Sequence, residues 1–96
     1  MPMARMLMKE LEPFGLLYIE EPLQPEQIEG FRELRNHTST PIATGERMYT
    51  RWGFKNLIAS GAIDIVQPDV SHAGGILESR KIAAMAECYD MGVAPH

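Results

Sequence analysis

The chain has 96 residues, a net charge of −4 and 45% apolar against 23% charged residues, the balance of an ordinary small globular protein. That balance argues against disorder, and the lack of a Lys/Arg cluster removes nucleic acid from the expected partners. No stretch approaches the roughly 18 apolar residues of a membrane span, Glu10 interrupts the start where a signal peptide would continue its apolar core, and the single Cys88 can form no internal disulfide. A cytoplasmic location without membrane contact is therefore expected, with Cys88 a small buried hydrophobe.

In chain order, Leu7, Met8 and Leu11 at helical spacing predict the tail of a helix over about 3–12, stopped by Pro13 and Gly15. Met3, Met6 and Met8 are read as core fillers. A first strand follows at about 16–20. Pro25 suits a first helical turn, and Ile28, Phe31 and Leu34 continue an amphipathic helix to about Asn36. His37, just past the helix end, fits a role on its dipole. The second strand is Pro41 to Ala43, and Thr50 is the expected N-cap of a helix that buries Phe54, Leu57 and Ile58 and ends at Gly61. Ile63, Ile65 and Val66 make a third strand. Gly74 and Gly75 mark a tight loop before a helix from Ile76 to Tyr89, which Gly92 ends, and Val93 and Ala94 open a fourth strand.

Four short apolar runs end in an acid or a histidine: LLYIEEP delivers Glu20, PIATGE Glu46, IVQPD Asp69 and GVAPH His96. The intervals of 26, 23 and 27 residues each accommodate a strand, a helix and two loops, the requirement of a parallel crossover. In a parallel α/β sheet the carboxyl ends of the strands lie side by side, so these four residues are expected at one rim. The fold class that follows is α/β, a partial TIM-like barrel of about four parallel strands with three to four helices. A closed barrel needs about 250 residues, so four strands amount to half of one.

Adjacent Glu20 and Glu21 face opposite ways on an extended chain, so one of them can turn inward as a ligand. Gly45 permits a close turn beside Glu46, while Arg47 is placed to neutralise or orient a neighbouring carboxylate, with a surface Glu46–Arg47 pair as the plainer reading. Asp64 begins its strand and belongs to the opposite rim. Asp69 beside His96 could hold one ring nitrogen and leave the other free as a base, whereas His72 is open between capping a loop and touching a substrate. Trp52 and the methionines make no cofactor signature, no glycine-rich phosphate loop occurs, and no His/Cys spacing suggests zinc.

Taken together, IEEP at 19–22, GER at 45–47, QPD at 67–69, SHAGG at 71–75 and APH at 94–96 resemble the enolase superfamily, in its mandelate racemase subgroup, with local wording nearest the D-galactonate dehydratase branch. The resemblance implies a capping domain followed by a (β/α)7β barrel, of which residues 1–96 would be one fragment of the C-terminal barrel domain, without the capping domain. It further implies a lyase in which Mg2+ holds the enediolate formed when the proton next to a sugar-acid carboxylate is removed and water is eliminated. Glu20 and Glu46 match two metal ligands, and His96 with Asp69 matches the catalytic histidine and its orienting acid. The family's third metal ligand, its upstream acid histidine and a later Glu fall outside these residues. Weak or absent Mg2+ binding and no turnover are thus expected of the 96-residue chain alone. A noncatalytic half-barrel that self-associates is the alternative, and a homo-oligomer is expected because open strand edges invite pairing.

Overall fold

The computed structural model describes residues 1–96. Ten-residue α1 (Pro2–Leu11) opens with proline in its first turn, where the missing N–H costs nothing, and buries Ala4 and Met8. Met3 and Met6 do not join them: they are 77% and 63% exposed, because their positions fall on the other side of the helix. A single 3₁₀ turn, Glu12–Phe14, ends at Gly15 in the left-handed region.

Strand β1 is only Ile19–Glu20, shorter than the expected 16–20, since Leu16 and Leu17 lie exposed before the sheet begins. Helix α2 (Ile28–Arg35) starts three residues after Pro25, which instead lies in a turn closed by the Gln27 N–H on the Gln24 carbonyl at 3.0 Å. Strand β2 (Ile42–Thr44) is buried throughout. Helix α3 (Thr50–Ser60) has Tyr49, not Thr50, at its N-cap, and no side chain of its own end caps it. The orphan Arg51 N–H is capped from another helix, by Glu78 Oε1 at 2.8 Å. Gly61 ends α3 in the left-handed conformation, as expected.

After β3 (Ile65–Val66) comes a short helix, α4 (Val70–Ala73), which the sequence reading omitted. It raises the helix number to five, because Asp69 caps a turn that fits between the strand and the Gly74–Gly75 bend. Helix α5 (Ile76–Glu87) stops before Cys88, which is exposed rather than buried. Gly92 does not terminate that helix; it belongs to β4 (Gly92–Val93), where a Cβ would come 3.2 Å from Ile65 Cγ1.

The four strands form one parallel sheet in the order β1-β2-β3-β4, with Ile19 opposite Ile42, Ala43 opposite Ile65 and Ile65 opposite Gly92. Helix–sheet packing is built on Met8, Phe31, Leu34, Phe54, Leu57 and Ile82, all fully buried. At the amino ends of the strands, Asp64 accepts the Ile42 N–H at 3.0 Å and pairs with Arg35 at 2.7 Å, so it staples β2 to β3 at the rim opposite Glu46 and Asp69. No helix is long and apolar enough to cross a membrane.

Gly45 is where this packing is tightest. Its φ is +138°, and an added Cβ would lie 2.8 Å from Phe54 Cε1 and 3.1 Å from the Gln67 backbone nitrogen. Gly45→Ala should therefore lower the unfolding free energy by about 2–5 kcal/mol, combining backbone strain and overpacking. Gly15→Ala, at φ +61° with nothing within 4 Å, should cost only about 1 kcal/mol. Urea denaturation of both variants measures the difference, and equal losses would contradict the close approach at Gly45.

Candidate active site

Each strand delivers its residue by backbone connection. Glu20 ends β1, Glu46 follows β2 by two residues, Asp69 sits at the N-cap of α4 just beyond β3, and His96 follows β4. Hydrogen bonds continue the sheet past its formal ends: the Glu21 N–H reaches Ala43 O at 2.9 Å, Gln67 N–H reaches Thr44 O at 3.0 Å and His96 N–H reaches Pro68 O at 3.3 Å. The side chains of these strand ends are thereby held at one rim, as the spacing predicted.

His96 is the meeting point. Its Nε2 is 3.0 Å from Glu46 Oε2 and its Nδ1 is 3.4 Å from Asp69 Oδ2. Two carboxylates can only accept, so both ring nitrogens donate and His96 is an imidazolium in this arrangement. The neighbouring Asp69 carboxylate chiefly, helped by the charges of Glu46 and Glu20, raises the His96 pKa above its ordinary 6.5. Asp69 is held below its ordinary 3.8, first by the His72 backbone N–H at 2.8 Å and then by His96. The second ring nitrogen is thus not left free, as the sequence suggested; it is lent to Glu46.

His72 closes this arrangement into a circuit. Its N–H goes to Asp69 Oδ1, and its ring Nδ1 lies 2.8 Å from the Glu46 carbonyl oxygen, which can only accept, so His72 carries its proton on Nδ1. Asp69, His72, Glu46 and His96 therefore form a hydrogen-bonded ring joining the ends of β2, β3 and β4. Sequence reasoning left His72 open; the pattern Asp69-Val70-Ser71-His72, an N-cap acid three residues before its amide partner, carried the signal.

Arg47 does not pair with Glu46. Its guanidinium binds Glu21, through Nε at 2.7 Å and through Nη2, and Gln24 at 3.1 Å. Glu20 and Glu21 do face opposite ways: Glu20 takes part in the rim cluster, whereas Glu21 accepts from the Thr44 hydroxyl at 2.9 Å. One ligand atom each from Glu20, Glu46 and His96 lie within 4.8 Å of one another. Two carboxylates at that spacing are hard oxygen donors suited to Mg2+, with His96 the competing cation that balances them here. None of the chain's clefts is lined by Glu20, Glu46, Asp69 or His96, so the cluster stands open.

Consecutive parallel strands with helical crossovers, carrying their polar residues at the carboxyl ends, define part of an α/β barrel enzyme scaffold. The chain belongs to the Enolase C-terminal domain-like family, whose model matches residues 1–96. It is 57% identical over 95 residues to D-galactonate dehydratase of Ralstonia pickettii (strain 12J) and 58% identical to that of Xanthomonas euvesicatoria pv. vesicatoria (strain 85-10). In both cases 99% of this chain covers 25% of the relative, so it spans about a quarter of their length. Among solved structures, L-talarate dehydratase from Polaromonas sp. JS666, complexed with Mg and L-glucarate, superposes with a TM-score of 0.94 at 40% identity, covering 99% of this chain and 27% of that one. The 3,6-anhydro-D-galactonate cycloisomerase from Zobellia galactanivorans gives 0.93 at 41% identity, covering 97% and 26%. The resemblance to the enolase superfamily, mandelate racemase subgroup, is borne out.

The electrostatics carry a signed expectation. A raised pKa means that protonated His96 favours the folded state: the contribution is full below 6.5 and is lost as pH rises through the higher folded value. Asp69 has the opposite sign, contributing fully above 3.8 and losing its contribution as pH falls through its lower folded value. The imidazole resonances of His96 should titrate above the ordinary 6.5 by NMR, and Asp69→Asn should move that midpoint down. A midpoint that ignores Asp69→Asn would refute the pairing.

Proposed function

We propose that residues 1–96 are part of the C-terminal barrel domain of a Mg2+-dependent sugar-acid dehydratase acting on D-galactonate or a close relative, with His96 and Asp69 as its acid–base pair and Glu20 and Glu46 as metal ligands. The observation that carries the reading is His96, braced by Asp69 on one ring nitrogen and facing the Glu20/Glu46 pair with the other. The family membership and the dehydratases among the relatives support the same chemistry.

Dehydration of a sugar acid breaks the C–H bond next to the carboxylate and the C–O bond of the neighbouring hydroxyl. When bound, the metal ion supplies positive charge against the substrate's oxygens, which acidifies that C–H. Asp69 keeps a proton on Nδ1, so His96 exchanges its proton at Nε2, where it serves as base or acid. Glu20 and Glu46 would be the residues to hold the ion, and a Glu46 carboxylate so engaged would leave His96 Nε2 free for the substrate. The open rim leaves substrate enclosure to parts of the enzyme beyond this segment.

The decisive experiment grafts these 96 residues into the Ralstonia pickettii dehydratase in place of the matching quarter. The chimera should dehydrate D-galactonate in the presence of Mg2+, and His96→Asn within it should reduce kcat by about 10²–10⁴, the range for losing a general acid or base. A folded chimera whose turnover is indifferent to His96 would overturn the assignment.

For the 96-residue chain by itself we infer weak Mg2+ binding and no turnover, because two carboxylates form an open site and Mg2+ gives up its water reluctantly. Calorimetry finding tight, stoichiometric Mg2+ binding would contradict this.

The second reading, a noncatalytic self-associating module, is favoured by one observation. Strands β1 and β4 each have an edge without a partner strand, and Leu17, Ile76 and Leu77 are 81%, 73% and 64% exposed. Paired copies would cover both, and the isolated chain is expected to be a homo-oligomer. Light scattering at micromolar concentration should give a mass of at least two chains; a monomer would remove this reading.

A further inference from the structure

Two residues beside the proposed metal ligands have no part in the chemistry above, yet they are bound more fully than the ligands themselves. Glu21 has a side chain only 13% exposed. Its Oε1 accepts the hydroxyl of fully buried Thr44 at 2.9 Å, and its Oε2 accepts from Arg47 Nε at 2.7 Å and from Nη2. Arg47 spends a third donor, Nη1, on Gln24 Oε1 at 3.1 Å. Glu21 also holds φ at +45°, in the left-handed region that a non-glycine residue occupies only where its surroundings over-determine it.

Position gives this pair its meaning. Glu21 is bonded to Glu20 and Arg47 to Glu46, so one ion pair joins the neighbours of two carboxylates that stand within 4.8 Å of each other. Glu20 and Glu46 repel, and that repulsion acts to separate the carboxyl ends of β1 and β2. The Glu21–Arg47 pair pulls the same two ends together. Resting on the metal-ligand reading of Glu20 and Glu46, we propose that Glu21 and Arg47 are positioning residues, a clamp that holds the two carboxylates at ligand spacing before any cation arrives. Arginine suits this role because its rigid fork gives Glu21 two donors, Nε and Nη2, while Nη1 reaches Gln24, a planar three-point arrangement that the single nitrogen of lysine does not reproduce.

The clamp predicts a local effect that general destabilisation does not produce. Two hydrogen bonds of equal length tie β1 to β2: Glu21 N–H to Ala43 O beside the clamp, and Ile19 N–H to Pro41 O at the far end, both 2.9 Å. Amide hydrogen exchange of the full 96-residue chain reads them separately. Arg47→Met should speed Glu21 exchange about tenfold, the scale of a lost charge-assisted pair, while Ile19 changes by less than about twofold. Arg47→Lys, a milder change should Arg47→Met fail to fold, should fall between wild type and Arg47→Met.

The cause is tested by relieving the repulsion. In the Arg47→Met background, Glu20→Gln should slow Glu21 exchange back toward the wild-type rate, and millimolar Mg2+ should do the same where Glu20 is intact. Rescue by Glu20→Gln without a response to Mg2+ upholds the clamp while counting against the metal reading. Parallel acceleration of Glu21 and Ile19 in Arg47→Lys or Arg47→Met, or no rescue by Glu20→Gln, overturns the clamp whatever Mg2+ does.

Discussion

Parallel pairing between very short strands is the constraint on which the rest of this molecule depends. Each formal strand has two or three residues, yet the hydrogen bonding runs on past Glu20, Thr44 and Val66 into the loops that carry the polar residues. Because all four strands run the same way and follow one another in the sheet, every carboxyl end reaches the same rim. The His96 N–H on Pro68 O shows how far this goes: the last residue is itself positioned by a backbone bond to the neighbouring strand. Local stiffness of the site therefore derives from the sheet, not from the loops.

Electrostatics are divided between two sides of the same strand ends. On one side Glu20, Glu46 and Asp69 surround His96, whose imidazolium balances part of their charge. On the other, Glu21 is neutralised by Arg47 and held by Thr44. The dipeptides Glu20-Glu21 and Glu46-Arg47 each send one member to each side, because Glu21 leaves β1 in the left-handed region and Glu46 and Arg47 lie in the turn closed by the Met48 N–H on the Gly45 carbonyl at 3.0 Å. Asp64, occupied by Arg35 and the Ile42 amide, fixes the other end of the sheet.

Much of this was legible in the sequence. The periodic burial of Phe31, Leu34, Phe54, Leu57 and Ile58 placed two helices, and the repeated ending of apolar runs in Glu20, Glu46, Asp69 and His96 placed the strand order and the rim. What escaped was decided by tertiary context. Thr50 has the right chemistry for an N-cap, but Glu78 from α5 supplies the cap instead. Gly92 reads as a helix stop, yet its small size serves close approach to Ile65. Cys88 belongs to a residue type usually buried, but it falls at the exposed end of α5. The partner of Arg47 and the bond from His72 to Glu46 connect residues more than twenty positions apart, and spacing alone does not specify which polar groups meet.

Glu20, Glu46, Asp69 and His96 meet at one rim, and the proposal that rests on this is that they attract a hard divalent cation. Paramagnetic broadening by Mn2+, followed residue by residue in the NMR spectrum of the 96-residue chain, tests this most directly. The account predicts that the Glu20 and Glu46 amides and the His96 ring lose intensity first, while the Asp64 amide at the opposite rim stays sharp. Broadening that begins at Asp64, or on the exposed acids Glu29 and Glu33 of α2, would contradict it.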